Sequence, residues 1–241
     1  MWPNTSKTKR VEWATFLKRI RQFFDDQHFT EISTPSLVEV GAFEASIDPL
    51  KVSYSTGSAE LHTSPEIEMK SVLAEFPHPI YQICKCFRDD PESPIHAKEF
   101  TMLEFYKPDS TSTDLEKLTL RLFAHLSSKP LTVNSYSIYD LILKLTGIDL
   151  EANPTREALF KAAKSHTLLH LTEKDSWSDI FFKIMIELVE PWLPSNDLCL
   201  INEYPIAVSP LSKPIGGTSK AERFEIYWKN MELCNGCTEL T

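Results

Sequence analysis

Residues 80–106 read IYQICKCFRDDPESPIHAKEFTMLEFY, and the alternation in this stretch decides the fold. Successive side chains of a strand point to opposite faces, so Gln82, Cys84, Cys86 and Arg88 share one face of a strand that begins at Ile80. Phe100, Met102, Glu104 and Tyr106 likewise share one face of a second strand, Glu99 to Tyr106. A polar-rich loop, Asp89 to Lys98, joins the two and predicts a long-looped antiparallel hairpin. If the two faces coincide, a cation, an aromatic plate, a carboxylate and a phenol converge into a pocket for a zwitterionic or phosphorylated ligand. On spacing alone the alternative is a half-exposed sheet carrying a weak cross-strand ion pair.

Upstream of the hairpin, Thr63-Ser64-Pro65-Glu66 reads as a helix start, with hydroxyl caps, proline in the first turn and acids at the positive end of the dipole. Met69, Val72, Leu73 and Phe76 are the expected buried stripe of that helix, and Pro77 and Pro79 stop it. Farther back, Trp13, Phe16, Leu17, Ile20, Phe23 and Phe24 recur at three- and four-residue spacing, predicting an amphipathic helix from Arg10 to Phe29. Pro35 then forces Thr34 out of the helical region, and residues 36–62 read as strands and loops.

Downstream, helical signals run over Asp114 to Ser127, Ile138 to Thr146, Thr155 to Lys164 and Ser176 to Val189, a mainly helical insertion at about 110–195. Strand character returns at Leu198 to Tyr204, and again at Arg223 to Trp228 and Met231 to Cys234 around a Lys229-Asn230 turn. A two-residue turn there sets Tyr227 opposite Glu232 and Glu225 opposite Cys234, so that Glu225 and Glu232 share a face as diagonal neighbours about 7–8 Å apart. Two such carboxylates can share a hard cation with phosphate oxygens; a solvated acidic face is the alternative. No repeat or low-complexity linker interrupts residues 1–241, which read as a single domain of mixed α/β (α+β) class, an antiparallel sheet flanked by helices.

Composition narrows the function. Lys and Arg number 25 against 34 Asp and Glu, a formal charge of -9, which disfavours a protein whose main work is neutralising nucleic-acid phosphates. Only six glycines occur, and neither a G-x-G-x-x-G nor a P-loop pattern is present, so any nucleotide is held by side chains. No stretch reaches the roughly 18 uncharged apolar residues of a membrane span, and the basic start has no apolar region behind it, so the expectation is a cytoplasmic protein without membrane contact. Five cysteines without a secretory context argue against a disulfide framework. Cys84-x-Cys86 and Cys234-x-x-Cys237 invite a four-thiolate zinc reading, but neither pair has flanking ligands, and small buried thiols are ordinary core residues. His62, His78 and His96 are separate hints, of which His96 lies in the hairpin loop where it would meet a ligand.

Taken in order, Thr63-Ser64-Pro65-Glu66, Phe87-Arg88-Asp89-Asp90, His96 through Glu104, Glu222-Arg223-Phe224-Glu225 and Glu232-Leu233-Cys234-Asn235-Gly236 resemble the catalytic core of class II lysyl-tRNA synthetases. The Glu-Phe-Thr-Met-Leu-Glu run at 99–104 is similar to the motif 2 pattern of that class. A motif 1-like helix beginning near residue 10 leaves no room before it for an anticodon-binding barrel, so the likeness is strongest to the stand-alone elongation factor P beta-lysine ligase family. This resemblance implies ATP-dependent activation of lysine or (R)-beta-lysine to an aminoacyl-adenylate, with transfer to a lysine of elongation factor P. It also implies Mg2+ and a homodimer formed through Val11 to Pro35; tRNA is the less favoured acceptor.

By resemblance, Arg88 grips the α-phosphate and the substrate carboxylate as catalytic residue, His96 approaches the terminal phosphates and Phe100 stacks on adenine. Glu66 and Glu104 take the substrate amino group, Tyr106 and Glu239 its distal amine, Glu225 and Glu232 the metal, and Asn235 supports the substrate. Two departures stand out. Arg88-Asp89-Asp90 replaces the usual Arg-Asn-Glu, and His96-Ala97-Lys98-Glu99-Phe100 the usual His-Asn-Pro-Glu-Phe. The sequence also ends at Thr241, before the position of the family's glycine-rich motif 3, so the expectation is ligand binding with weak or absent turnover. The rival expectation is a catalytically inactive, synthetase-like binding protein.

Overall fold

The computed structural model describes residues 7–42, 47–91 and 96–240. The first residues of the basic start, part of the 36–62 segment and the centre of the Asp89 to Lys98 loop lie outside the described residues. The chain divides into two compact units, Met1–Asp109 and Ser110–Thr241.

In the first unit, α1 (Lys7–Asp26) leads through β1 (Thr30–Glu31), β2 (Leu37–Val38), β3 (Lys51–Tyr54), β4 (Gly57–Leu61) and α2 (Glu66–Glu75) to the hairpin β5 (Ile80–Phe87) and β6 (Glu99–Tyr106). One sheet has the order β1-β5-β6 and a second the order β2-β4-β3. The hairpin register pairs Ile80 with Tyr106, Gln82 with Glu104, Cys84 with Met102 and Cys86 with Phe100. The two even-numbered faces therefore coincide as expected. The opposite face packs on the end of α1. There Phe24 stacks on Tyr81 at 4.6 Å between ring centroids, and the edges of Phe29 and Phe105 close around it. Burying aromatic rings in this way supplies both apolar area and geometry-specific attraction, and it fixes which side of the hairpin remains for chemistry.

The apolar stripe of α1 splits along its length. Ile20, Phe23 and Phe24 are buried, whereas Val11, Trp13 and Phe16 are exposed within the unit. Helix α2 starts at Glu66 with the Ser64 hydroxyl accepting the Glu66 N–H at 3.1 Å. Its expected stripe is only partly realised: Met69 is fully buried, but Phe76 is exposed, because α2 ends at Glu75 and the chain turns away toward Pro77.

In the second unit, α3 (Ser112–Leu126), β7 (Val133–Ser137), α4 (Ile138–Thr146), α5 (Arg156–Ala163) and α6 (Trp177–Ile184) precede β8 (Leu198–Asn202), β9 (Arg223–Trp228) and β10 (Met231–Cys237). The sheet order is β10-β9-β8-β7, antiparallel except for the β7–β8 pair, and β1–β5 in the first unit is also parallel. Antiparallel pairing thus dominates mixed sheets. Strand β7 is an addition to the helical insertion read from the sequence; its Asn and Ser content hides a strand that forms by pairing beside β8.

Helix ends follow local chemistry. Thr111 and Asp114 form a reciprocal capping box on α3, Ser176 and Asp179 form another on α6, and Gly147 ends α4 at a φ of 73°. The expected helix through Val189 is continuous but widens into a π turn at Met185–Val189. One sheet face carries Cys199, Ile201 and Tyr227 into a core with α4, α5 and α6; the other carries Leu198, Leu200, Phe224 and Ile226 against α3. No helix of the described residues is long and apolar enough to cross a membrane.

Candidate active site

In the first unit the hairpin face gathers two groups of polar side chains. The Arg88 guanidinium lies over the Phe100 ring, 5.1 Å from its centroid. Its Nε is buried and has no hydrogen-bond partner among the described residues. A buried, unpartnered guanidinium N–H costs stability unless something accepts from it, and the fork geometry of arginine suits the paired oxygens of a phosphate or carboxylate. The main chain holds Arg88 in place through its N–H, which donates to the Lys98 carbonyl at 3.0 Å across the mouth of the hairpin. His96 is exposed in this segment, and Lys98 pairs with Asp89.

Farther along the same face, Tyr106 donates its hydroxyl to Glu104 Oε1 at 2.9 Å. Burial pushes the Glu104 carboxyl up to about 7, with the Tyr106 hydrogen bond opposing the shift and the charge of Glu66 adding to it. Glu66 accepts from Lys70 Nζ at 2.6 Å, and Lys70 also lies 5.9 Å from the Tyr106 ring centroid. Lys70 was not among the residues read from the sequence, since an i,i+4 lysine on a helix is indistinguishable from a surface ion pair. Structurally it shows that the Glu66 carboxylate and the Tyr106 ring here already accommodate one alkylammonium.

In the second unit, β9 and β10 turn at Lys229 and Asn230, both at positive φ. Glu232 faces Tyr227 as expected, but Glu225 faces Asn235 and not Cys234. The cause is a β-bulge between Glu232 and Cys234, where Leu233 is the extra residue. The bulge sends Cys234 to the α3 side beside Ile226 and turns Asn235 to the carboxylate side, where its amide donates to Glu232 Oε1 at 3.2 Å. Three residues apart in a regular strand, Glu232 and Asn235 would point opposite ways.

Glu225 is buried and held by three donors. Tyr204 and Tyr227 hydroxyls donate to Oε2 at 2.7 and 2.6 Å, and Arg223 Nη2 donates to Oε1 at 2.7 Å. These two hydroxyls occupy the lone pairs of Oε2, leaving capacity only on Oε1. The surrounding protein and then the Glu225 charge hold the Glu232 carboxyl up at about 7, although the residue keeps solvent contact. Glu190, missed in the sequence, also lies within the field of Glu225, and its carboxyl is raised, chiefly by burial. Hard carboxylate oxygens gathered in this way fit a divalent cation such as Mg2+, with Glu232 and Oε1 of Glu225 as the available donors. Glu239 forms a bridge with Ser212 in the same unit.

Residues 6–241 match the family model described as tRNA synthetases class II (D, K and N). The chain belongs to the class II tRNA synthetase family. This class II chain is 31% identical over 237 residues to an elongation factor P-(R)-beta-lysine ligase homolog of Aquifex aeolicus, covering 95% of this sequence and 77% of that one. It is 30% identical over 250 residues to the elongation factor P-(R)-beta-lysine ligase of Histophilus somni strain 2336, covering 99% and 75%. The similarly named ligase of Pasteurella multocida is 30% identical over 247 residues, covering 99% and 75%. Among the residues that the class II resemblance singled out, the structure brings together Arg88 with Phe100, Glu66 with Glu104 and Tyr106, and Glu225 with Glu232 and Asn235.

Proposed function

We propose that this class II chain activates lysine or (R)-beta-lysine with ATP and transfers the aminoacyl group to a lysine side chain of elongation factor P. The observation that carries the choice of substrate is the half-buried carboxylate of Glu104 beside Glu66, with Lys70 as a resident alkylammonium. An acidic pocket recognises a side-chain amino group and repels an aspartate side chain, which separates lysine from aspartate among the substrates named for the family model, while asparagine brings no charge to pair. The names of the relatives support the acceptor.

In the first step a carboxylate oxygen of the amino acid attacks the α-phosphorus of ATP in line. The bond from that phosphorus to the bridging oxygen breaks, and pyrophosphate leaves with the electron pair. Arg88, with its unpartnered Nε, neutralises charge as it develops on the α-phosphate, while Phe100 stacks on adenine and His96 meets the terminal phosphates. Mg2+ held by Glu232 and Glu225 would supply charge neutralisation on the phosphates. Asn235 supports the substrate, and Tyr106 and Glu239 take its distal amine. In the second step the acceptor amine attacks the acyl carbon, AMP leaves, and the nitrogen loses its proton to solvent. No enzyme nucleophile is required.

The proposal treats residues 1–241 as one catalytic domain, working as a cytoplasmic homodimer. Pyrophosphate exchange into ATP that depends on lysine or (R)-beta-lysine tests it. Arg88→Ala should lower exchange about a hundred- to thousand-fold, as loss of one donor from a preorganised site does. Exchange at near-normal rates in that variant would remove Arg88 from its role.

A further inference from the structure

His62, Cys84 and Cys86 bring one ring nitrogen and two sulfurs within 4.8 Å of one another, with His62 and Cys86 buried and Cys84 half-buried. None of these residues serves the activation chemistry described above. We propose that they form a binding site for a single thiophilic divalent cation of the zinc type, on the hairpin face that also carries Phe100 and Glu104.

Three observations converge on this site. First, the Cys84 and Cys86 sulfurs are 3.8 Å apart. Two thiolates on a tetrahedral ion, with bonds of about 2.3 Å, stand about 3.8 Å apart, whereas a disulfide needs about 2.05 Å. Alternate residues of a strand are also separated by about 6.6–6.8 Å, at the far limit of what a disulfide spans. A bridging ion therefore suits the pair better than oxidation does.

Second, the histidine is set for ligation. Its Nε2 lies 2.7 Å from the Lys85 carbonyl, and a carbonyl can only accept, so Nε2 carries the hydrogen. Fixing the tautomer through a backbone carbonyl is the usual support of a metal-ligating imidazole. Among the described residues Nδ1 is left buried and without a hydrogen bond of good geometry, in a residue that is 1% exposed. Such an orphaned acceptor is costly unless a proton or an ion is shared with it.

Third, the backbone makes the arrangement rigid. The His62 N–H donates to the Ser36 carbonyl at 3.0 Å, and the Phe87 N–H donates to the His62 carbonyl at 3.1 Å, which locks the end of β4 against β5. Binding the ion displaces the two thiol protons, which are released to solvent, while the imidazole ligates through its unprotonated Nδ1 and keeps its Nε2 hydrogen. Three ligands leave a fourth position for water or a substrate atom.

The full-length chain, reduced and metal-free, is titrated with Co2+ alone and then with Zn2+. We expect one equivalent of Co2+ to give a thiolate charge-transfer band with tetrahedral d–d bands, and Zn2+ to abolish both. Cys86→Ser and His62→Gln should each weaken Zn2+ binding by about a hundredfold or more, whereas Cys234→Ser leaves it unchanged, with far-UV circular dichroism confirming folding. A wild-type Co2+ spectrum without a thiolate band overturns the proposal whatever the variants do. So does a band that survives Cys86→Ser and disappears in Cys234→Ser. Because no ATP or amino acid is used, this result is independent of the proposed ligase activity.

Discussion

Glu104 sets the pH behaviour of substrate binding. Its carboxyl, raised to about 7 chiefly by burial, must be ionised to offer a substrate ammonium an opposite charge. As pH falls through that value the neutral acid dominates, so the KM for the amino acid should rise below about pH 7, by as much as tenfold per unit. Glu104→Gln keeps the shape but carries no charge; it should flatten this profile while raising KM throughout. A wild-type profile flat between pH 5 and 8 would contradict the assignment. That Glu104 and Phe100 share a strand face was legible in the sequence because strand alternation has a fixed period, whereas Lys70, Glu190 and the three donors on Glu225 were not. Those come from other elements, and only tertiary packing decides which helix face or neighbouring strand they meet.

Among the elements, the β9–β10 hairpin shows where sequence reasoning stops. The turn and the first pairs were predictable from Lys229-Asn230, and Glu232 does face Tyr227. A one-residue bulge at Leu233 leaves no compositional mark, yet it decides that Asn235 joins the carboxylates. Deleting Leu233 should give a regular ladder in which Cys234 still faces Ile226 and Asn235 still faces Glu225, so activation should survive without the bulge; exchange assays with circular dichroism on the deletion check this, and loss of exchange in a folded variant would contradict it.

The next residue is constrained by packing. A Cβ on Gly236 would lie 2.8 Å from the Phe224 ring, which is itself buried against α3. Gly236→Ala should therefore destabilise the chain by about 1–3 kcal/mol, the usual range for overpacking, readable as a lower denaturant midpoint. An unchanged midpoint would mean that the ring yields freely. The short strand β7 escaped prediction for a related reason: its stability lies in pairing with β8 and not in its own residues.

For the whole molecule, the proposed homodimer is tested at Val11, Trp13 and Phe16, which are exposed at the start of α1. Sedimentation at micromolar concentration should give a dimer, and Trp13→Glu with Phe16→Glu should give a monomer of unchanged helical content. Acceptor choice is decided by offering labelled lysine or (R)-beta-lysine, ATP and Mg2+ with elongation factor P and with bulk tRNA. Label should enter elongation factor P, and label in tRNA alone would overturn the choice. The fold class and the order of the motifs could be read from one sequence because the hairpin face and the family resemblance agree on the same residues.

The central claim, a pocket that recognises a lysine-type aminoacyl-adenylate, is tested most directly by calorimetry with non-hydrolysable adenylate analogues. The lysyl analogue should bind with one site per chain, Arg88→Ala and Glu104→Gln should each weaken it at least about tenfold, and the aspartyl analogue should not bind. Binding of the aspartyl analogue in preference to the lysyl one, or lysyl binding indifferent to both substitutions, would contradict the account.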